Sequence, residues 1–321
     1  MDMNKYKALI DDYNKKKAKR TGIPGNLHFS VQPIGSEGIS VNVRVAKNGG
    51  GTGLRLVDSW LMAIVHEIDV LGAGRIVRSI EVELSHVPDT PTMTSFVRRM
   101  SYLAINNEWE AQLSTPGGLV PLVEDSKVLF KPEQDEIVRP TWGGRTDNTD
   151  QDGAVEKMLQ TWLAGSARKT NDRLAILGED FTPGTKGSVR VEREVPTGSF
   201  RGRISKSNYI LPKYWIDLIT LNKWGKLALI ELKVTDSKLE AMAQLLDYAL
   251  FFRVHRDDLT PIFNKKLQAD LKPRADFVCY IANNRFHPRF DDIGRYYQPR
   301  EIKGAGFLFK KLVMGSTSVL T

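Results

Sequence analysis

The C-terminal half of the chain alternates between short apolar runs and longer stretches of helical periodicity. Apolar runs of about four to eight residues indicate strands, and apolar residues spaced three or four apart indicate amphipathic helices. The predicted order is α-β-β-β-α-β with one more strand at the end, which is an α/β fold. The predicted elements are the helix Ala154–Arg168, the strands Val189–Val195, Tyr214–Leu221 and Lys226–Val234, the helix Ser237–Val254, and the strands Ala275–Ala282 and Phe307–Val313.

The pattern of the N-terminal half also predicts a mixed α/β domain, but its residues do not indicate a function. The glycine cluster Gly49–Gly53 precedes a helix, where a phosphate would bind. It lacks the Lys-Ser/Thr ending of a phosphate-binding loop and therefore favours a simple turn. The predicted elements are the helix Lys5–Lys19, the hairpin strands Leu27–Ile34 and Ile39–Ala46, the helix Val57–Leu71, the strand Ile76–Leu84 and the helix Thr94–Gln112.

A polar segment separates the two halves. Residues 143–153 contain no apolar side chain, so they cannot anchor to a core and are typical of a linker. The 321 residues are enough for two domains with separate cores. We therefore expect a mixed α/β domain at residues 1–145 and a second domain at residues 150–321.

The basic excess of the chain lies entirely in its second half. Residues 1–150 contain 18 Lys and Arg against 19 Asp and Glu, and residues 151–321 contain 28 against 19, so the net charges are −1 and +9. Such an excess favours contact with a polyanion such as nucleic acid, and it equally serves solubility. The chain has one cysteine, Cys279, and shows neither a signal peptide nor an apolar run of membrane-spanning length. We therefore expect a cytoplasmic protein without membrane contact.

Two charged residues directly follow a buried strand in the second half. The run Leu227–Ile230 is continuously apolar, which is typical of a strand buried on both faces, and it leads into Glu231 and Lys233. Residues two apart in a strand project to the same face. Because an unpaired buried charge is costly, we expect these two side chains to pair or to act together.

The preceding strand brings a second carboxylate to the same place. Asp217 is the lone acid of an apolar strand. A three-residue loop Lys223–Gly225, with Gly225 in the left-handed conformation, would set Asp217 opposite Glu231 on one face of the hairpin. A two-residue turn would set Asp217 opposite Ile230 instead.

Two neighbouring carboxylates repel each other unless a cation lies between them. Oxygen ligands suit Mg²⁺ or Mn²⁺, and such an ion can activate water and stabilise the charge that develops on a phosphate. Lys233 could hold that water or support the transition state. The simpler interpretation is a structural ion pair of Lys233 with Asp217 and Glu231, but the helix that follows favours catalysis.

Over roughly residues 150–285, these features resemble the PD-(D/E)xK nuclease superfamily. Asp217 matches the first acid of that family, and Glu231-Leu232-Lys233 matches its ExK element. In the following predicted helix, Gln244 and Tyr248 match the QxxxY motif of the branch that includes RecB-type exonucleases and archaeal Holliday-junction resolvases. Taken alone, these last two residues would equally fit the polar edge of an amphipathic helix.

The resemblance implies a restriction-endonuclease-like domain with an α-β-β-β-α-β core and a Mg²⁺- or Mn²⁺-dependent nuclease acting on DNA rather than RNA. Ile216, not proline, precedes the first acid, which lowers the specificity of the match. Glu156 stands where the family often supplies another acid, although the helix dipole also favours acids at a helix start. The implied catalytic residues are Asp217, Glu231, Lys233, Gln244 and Tyr248, and the implied metal site consists of Glu156, Asp217, Glu231 and Leu232.

Three further groups of residues carry weaker signals. His255 is expected to pack rather than to catalyse. The stretch Arg285–Arg300 is either a surface that stacks bases or a packed tail, and its aromatic residues are Phe286, Phe290, Tyr296 and Tyr297. Phosphate contact is favoured for a basic strand and loop that contain Arg190, Arg193, Arg201 and Arg203.

Two other functions are compatible with the sequence. The second domain could be an inactive nuclease fold that binds nucleic acid or serves assembly, although a decayed site usually lacks one of the two acids or the lysine. Alternatively, the N-terminal domain sets the function as a sensor or partner-binding module of a defence or mobile-element system, through a protein partner or a second copy of the chain. We expect the N-terminal domain to supply no catalytic residue, because it has no matching group of acids.

Overall fold

The chain divides into two compact units. The first consists of Met1–Lys131 and Arg289–Arg300, and the second consists of Pro132–Pro288 and Glu301–Thr321. The computed structural model describes residues 2–16, 24–46, 53–122, 137–138, 151–164, 171–181, 190–234, 239–273, 275–300 and 306–314. Residues 49–52 of the glycine cluster and residues 143–150 of the predicted linker lie outside these ranges, and residues 151–153 already belong to a helix.

The first unit contains a five-stranded sheet. Its elements are α1 (Met3–Lys16), β1 (Leu27–Ile34), β2 (Gly38–Val45), α2 (Gly53–Leu71), β3 (Val77–Leu84), α3 (Thr90–Asn107), β4 (Glu110–Thr115) and β5 (Gly118–Val120). β1 and β2 form the predicted antiparallel hairpin, β3 and β4 continue the sheet in parallel, and β5 returns antiparallel. Buried and exposed residues alternate along β1 and β3, so one face of this sheet is packed and the other meets solvent.

The predicted helix Thr94–Gln112 is wrong at both ends. The side chain of Asp89 accepts a hydrogen bond from the backbone N–H of Thr92 at 2.9 Å, and this cap starts α3 earlier. Glu108 adopts a left-handed conformation with φ 58° and ends the helix, and Glu110 begins β4. Periodicity did not locate this end, because a glutamate stands where a glycine would have marked it.

The second unit contains a larger and a smaller sheet. The smaller sheet has three strands, β6 (Ile137–Val138), β8 (Ser199–Arg201) and β9 (Tyr209–Leu211). The other elements are α4 (Gln151–Ala164), α5 (Asn171–Leu174), β7 (Glu192–Pro196), β10 (Trp215–Leu221), β11 (Leu227–Lys233), α6 (Ala241–Leu267), β12 (Phe277–Asn283) and β13 (Phe307–Val313). The larger sheet has the order β13-β12-β11-β10-β7, antiparallel from β7 to β11 and parallel from β11 to β13. The predicted helices and strands of this half are all present, and the chain is α/β.

Helix α6 is longer than the sequence predicted. It continues from the expected end at Val254 to Leu267 through a charged stretch. Leu259, Phe263 and Leu267 follow one another at intervals of four residues and are buried, so the apolar stripe of the helix persists. Like the other helices of the described part of the chain, α6 lacks the combination of length and apolarity needed to cross a membrane.

The strand β11 lies in the centre of the second unit. It is buried along its whole length apart from Lys233, which confirms the prediction of a strand covered on both faces. Leu159 and Leu163 of α4 pack in one core cluster with Ala228 and Ile230. Helix α6 packs against β10, β11 and β12. Polar groups at the end of β11 are therefore held by a rigid frame.

The last helix, α7 (Phe290–Tyr297), belongs to the first unit, although in sequence it lies between β12 and β13. The hydroxyl of Tyr102 donates a hydrogen bond to the carbonyl of Tyr297 at 2.9 Å, and the hydroxyl of Tyr296 donates to the carboxylate of Asp69 at 2.9 Å. This stretch is a packed segment rather than a base-stacking surface, because three of its rings are buried, namely Phe290, Tyr296 and Tyr297.

Candidate functional site

The turn between β10 and β11 sets the register of the candidate site. Gly225 has φ 73°, and its N–H donates to the carbonyl of Asn222 at 2.9 Å, so the three-residue loop with a left-handed glycine is confirmed. The paired residues of β10 and β11 run from Leu221 with Leu227 to Leu218 with Ile230. The same register, continued by one residue, sets Asp217 opposite Glu231.

The side chain of Asn222 holds this turn in place. It is buried, and its Oδ1 accepts hydrogen bonds from the backbone N–H groups of Trp224 at 3.1 Å and Lys226 at 3.0 Å. Its Nδ2 donates to the hydroxyl of Tyr280 on β12 at 3.0 Å. The loop is therefore fixed both to itself and to the neighbouring parallel strand.

Asp217 lies where the pairing of β10 with β11 ends. Its Oδ2 accepts a hydrogen bond from the backbone N–H of Leu232 at 2.7 Å, so a carboxylate takes the place of a backbone acceptor. Its Oδ1 accepts a hydrogen bond from Nε2 of Gln160 at 2.7 Å. Both oxygens of this side chain therefore have a donor, and its orientation is defined by one strand and one helix.

Glu231 is bonded through only one of its oxygens. Its Oε1 accepts hydrogen bonds from Nζ of Lys233 at 2.7 Å and from Nε2 of Gln244 at 2.6 Å. Its Oε2 is buried and has no hydrogen-bond partner among the described residues. The side chain is 2% exposed, so water does not freely compensate that oxygen.

The two helix residues predicted from the motif meet the strands at this point. Nε2 of Gln244 also donates to the hydroxyl of Tyr248 at 2.6 Å, and that hydroxyl donates to the carbonyl of Trp215 at 2.7 Å. Tyr248 is completely buried. The pair therefore links α6 to β10 and fixes the amide that holds Glu231.

Electrostatics differ between the acid on β10 and the lysine on β11. Burial raises the pKa of Asp217 well above its usual range, the charge of Glu231 raises it further, and Lys233 and the N–H of Leu232 act against this rise. Burial alone would lower the pKa of Lys233, but the carboxylates of Glu231, Asp217 and Glu156 outweigh it and raise this pKa above its ordinary value. Lys233 is therefore a cation at neutral pH, and the repulsion between the acids is only partly relieved.

Helix α4 supplies one expected and one unexpected residue. Glu156 lies 3.9 Å from Nζ of Lys233. Because α4 begins at Gln151, this acid stands in the second turn, and a helix-start preference does not account for it. Gln160 was missed by the sequence analysis, although its spacing of four from Glu156 puts both side chains on one helix face and would have identified it.

The oxygen atoms of the candidate site fit a divalent cation only in part. No three or more His, Cys, Asp or Glu side chains of the described ranges converge into a ready-made metal cluster. The two acids Asp217 and Glu231 are nevertheless adjacent, and Oε2 of Glu231 is a buried acceptor without a donor. Such an atom is costly unless a ligand satisfies it, and an oxygen-seeking cation is a suitable ligand.

The remaining predicted residues lie at different places. His255 is buried and lies 3.3 Å from the hydroxyl of Ser199, so it packs as expected. Arg193 donates to the hydroxyl of Thr161 on α4 at 2.6 Å. Arg190 lines a surface groove with Lys265 and Lys266 of α6, whereas the side chain of Arg201 lies outside the described residues. Arg203, in the loop after β8, accepts a hydrogen bond from Asn208 through its carbonyl.

Comparison of the chain with models of known protein families and with curated proteins gave no match. The resemblance to the PD-(D/E)xK nucleases therefore rests on the motif residues and on their geometry.

Proposed function

We propose that the second unit is a metal-dependent nuclease that hydrolyses phosphodiester bonds, with DNA as its substrate rather than RNA. The observation that carries this proposal is the unpartnered, buried Oε2 of Glu231 beside Asp217 and the cationic Lys233. A purely structural ion-pair cluster gains nothing from leaving a buried carboxylate oxygen without a donor. At a metal site, the bound cation takes the place of the missing donor.

The charge of the site supports one divalent cation. With all groups ionised, Asp217, Glu231 and Glu156 carry three negative charges, and Lys233 carries one positive charge. One Mg²⁺ or Mn²⁺ ion would balance the difference, held by Asp217 and Glu231 together with Leu232 of the ExK element, with Glu156 nearby at Lys233. When bound, this ion would supply Lewis acidity towards a phosphate oxygen and towards an attacking water.

The residues of the chain have separate roles in this proposal. Lys233 uses one of its three N–H donors on Glu231 and has others to offer to the negative charge that develops on phosphate. Gln244, itself bonded to Tyr248, holds Glu231 through Oε1 and leaves Oε2 available to a cation. A preorganised donor and acceptor set of this kind lowers the barrier, because it need not reorganise during the reaction.

The surface charge of the second half supports nucleic acid as the substrate. Residues 151–321 carry a net charge of +9, and the groove at Arg190, Lys265 and Lys266 concentrates three cations beside the single acid Glu192. Phosphate contacts need cations but no base recognition. Binding that weakens steeply as salt is raised is the expected signature of such contacts.

The full-length protein should be assayed with Mg²⁺ or Mn²⁺ on single- and double-stranded DNA and RNA. Cleavage of DNA is expected, and Asp217→Asn, Glu231→Gln and Lys233→Met should each reduce it by at least about 100-fold. Asp276→Asn is the matched control, because it removes a carboxylate from an exposed ion pair with Lys226 in the same unit. Folded variants that keep wild-type cleavage would show that the site is misplaced.

A further inference from the structure

Helix α4 carries a polar residue that its packing does not require. Leu159 and Leu163 of α4 anchor the helix in the core of the second unit. Gln160, next to Leu159, is only 7% exposed and aims its Nε2 at Oδ1 of Asp217, 2.7 Å away. A buried amide at this position needs a reason, because burying a polar group is favourable only if its hydrogen bonds are made.

The orientation of the Gln160 amide follows from its partner. The nitrogen of the amide donates to Oδ1 of Asp217, so the amide oxygen is not used in this contact. That oxygen, Oε1, is buried and lacks a hydrogen-bond partner within the described part of the chain. Two buried acceptors of the candidate site therefore lack a partner among the described residues, Oε1 of Gln160 and Oε2 of Glu231.

On the basis of the proposed nuclease function, we propose that Gln160 is a positioning residue that orients Asp217 for a divalent cation. The backbone N–H of Leu232 and the amide of Gln160 bind different oxygens of Asp217, which fixes both the rotation and the tilt of the carboxylate. The amide is neutral and leaves the negative charge of Asp217 intact. A lysine or arginine at this position would neutralise that charge.

A neutral amide thus suits a position beside a metal-binding acid better than a charged side chain would. The acids must keep their charge to bind the cation, yet the metal-free protein must hold them close together. Hydrogen bonds from residues beyond the ligands themselves commonly contribute about 10- to 100-fold to metal affinity, because they hold the ligands in the binding orientation before the metal arrives. The expected consequence is a metal-binding defect when the amide is lost, with little change in contact to nucleic acid.

The test replaces Gln160 with leucine, which has a similar volume but no donor. Calorimetry should show Mn²⁺ affinity of Gln160→Leu reduced by about 10- to 100-fold, with kcat reduced at limiting Mn²⁺ and KM for DNA within twofold of wild type. Leu159→Ala is the control for a merely structural effect, because it opens the core beside Gln160. It should lower the melting temperature and leave the Mn²⁺ affinity of the folded protein unchanged.

The outcomes separate this inference from the proposed function. If wild type binds Mn²⁺ and Asp217→Asn abolishes that binding, but Gln160→Leu binds within twofold of wild type, the positioning role is wrong and the metal site stands. If wild type binds no Mn²⁺ and cleaves nothing, both proposals fail. Should Gln160→Leu not fold, Gln160→Ala is measured in the same way, and unchanged affinity in that variant overturns the inference.

Discussion

The two units share a strand pattern, but an ion pair on the first sheet is exposed to solvent and one on the second sheet is largely buried. In each, an antiparallel hairpin is followed by two parallel strands, β1-β2-β3-β4 in the first unit and β10-β11-β12-β13 in the second. On the first sheet, Arg44 and Glu83 form an ion pair at 2.9 Å with side chains 66% and 52% exposed. On the second, the pair of Lys233 and Glu231 at 2.7 Å is 20% and 2% exposed.

This difference shows that connectivity does not create the candidate site. Charges on a sheet face that meets water keep their hydration, and an ion pair between them contributes little to the free energy of unfolding. Charges at the end of a strand covered on both faces need partners, and on β11 Oε1 of Glu231 has two donors whereas its Oε2 has none among the described residues. Burial, and not the order of strands, therefore distinguishes the pair of Glu231 and Lys233 from the exposed pair on the first sheet.

The largest contrast between the units is expected for their glutamates. Glu231→Gln should reduce cleavage by at least about 100-fold, because it removes a charged acceptor from a preorganised site. Glu83→Gln should leave cleavage within twofold of wild type and change the free energy of unfolding by less than about 1 kcal/mol. Initial rates with Mn²⁺ and urea unfolding measure the two effects, and equal losses in both variants would contradict the comparison.

A second contrast concerns α7, which belongs to the first unit although the strands before and after it in sequence belong to the second. A protein truncated to start near residue 148 keeps α7 but loses the first-unit residues against which it packs, Tyr102 and Asp69 among them. We expect this truncated protein to associate in size-exclusion chromatography, because each large apolar side chain left exposed costs about 1.5–3 kcal/mol.

The matched control carries the same truncation with polar residues at two of the exposed positions. Phe290→Ser together with Ile293→Ser should restore a monomeric elution volume, since both side chains are buried in the whole chain. Basal cleavage is expected to return with it, because the expected site residues lie in the second unit. A soluble, well-folded truncated protein without any cleavage would show that the first unit contributes to catalysis.

Strong local patterns made much of this structure predictable. The apolar run before Glu231, the lone Asp217 and the glycine of the turn together determine the register, and all three are visible in the sequence. The return of α7 to the first unit was not predictable, since it depends on contacts between segments nearly 200 positions apart, such as the 195-residue separation of Tyr102 and Tyr297. Periodicity reports which face is buried, but not which partner covers it.

The same limit applies to the polar network of the site. The hydrogen bond from Gln160 to Asp217 joins residues 57 positions apart and leaves no local pattern apart from the spacing to Glu156. The end of α3 was missed for a different reason, because Glu108 adopts a left-handed conformation that its residue type disfavours. In this chain, local patterns identified the charged residues of the candidate site more readily than Gln160, which bonds to one of them.

Asp217 should also make the metal-free second unit sensitive to pH. Its raised pKa means that the folded protein binds this proton more tightly than the unfolded chain. Stability relative to Asp217→Asn should therefore fall as pH rises from about 4, the ordinary value of an unfolded aspartate, through the raised folded value. Urea unfolding in EDTA at several pH values measures this difference, and a difference that grows with pH would contradict the shift. Saturating Mn²⁺ should restore stability above that range.

The smallest effects are expected where two glutamates have left-handed backbone conformations, one in each unit. Glu108 ends α3 with φ 58°, and Glu194 on β7 has φ 51° and stands across from Asp217, between residues that pair with Ile216 and Leu218. The left-handed conformation costs a non-glycine residue about 1–2 kcal/mol. Glycine removes this cost, but it loses more backbone entropy on folding, which offsets part of the gain. Glu108→Gly and Glu194→Gly should therefore each stabilise the protein by about 0.5–1 kcal/mol in urea unfolding.

Only the second of these changes should affect the proposed metal site. Strained backbone near a functional site often holds a neighbouring group in place. Glycine at position 194 would loosen the strand that flanks Asp217, so Mn²⁺ affinity should fall by a few-fold, whereas Glu108→Gly should leave it unchanged. Equal Mn²⁺ affinity in both variants would mean that the strain at Glu194 is structural, like that at Glu108. A loss in Glu194→Gly alone would extend the contrast between the units from their charges to their backbones.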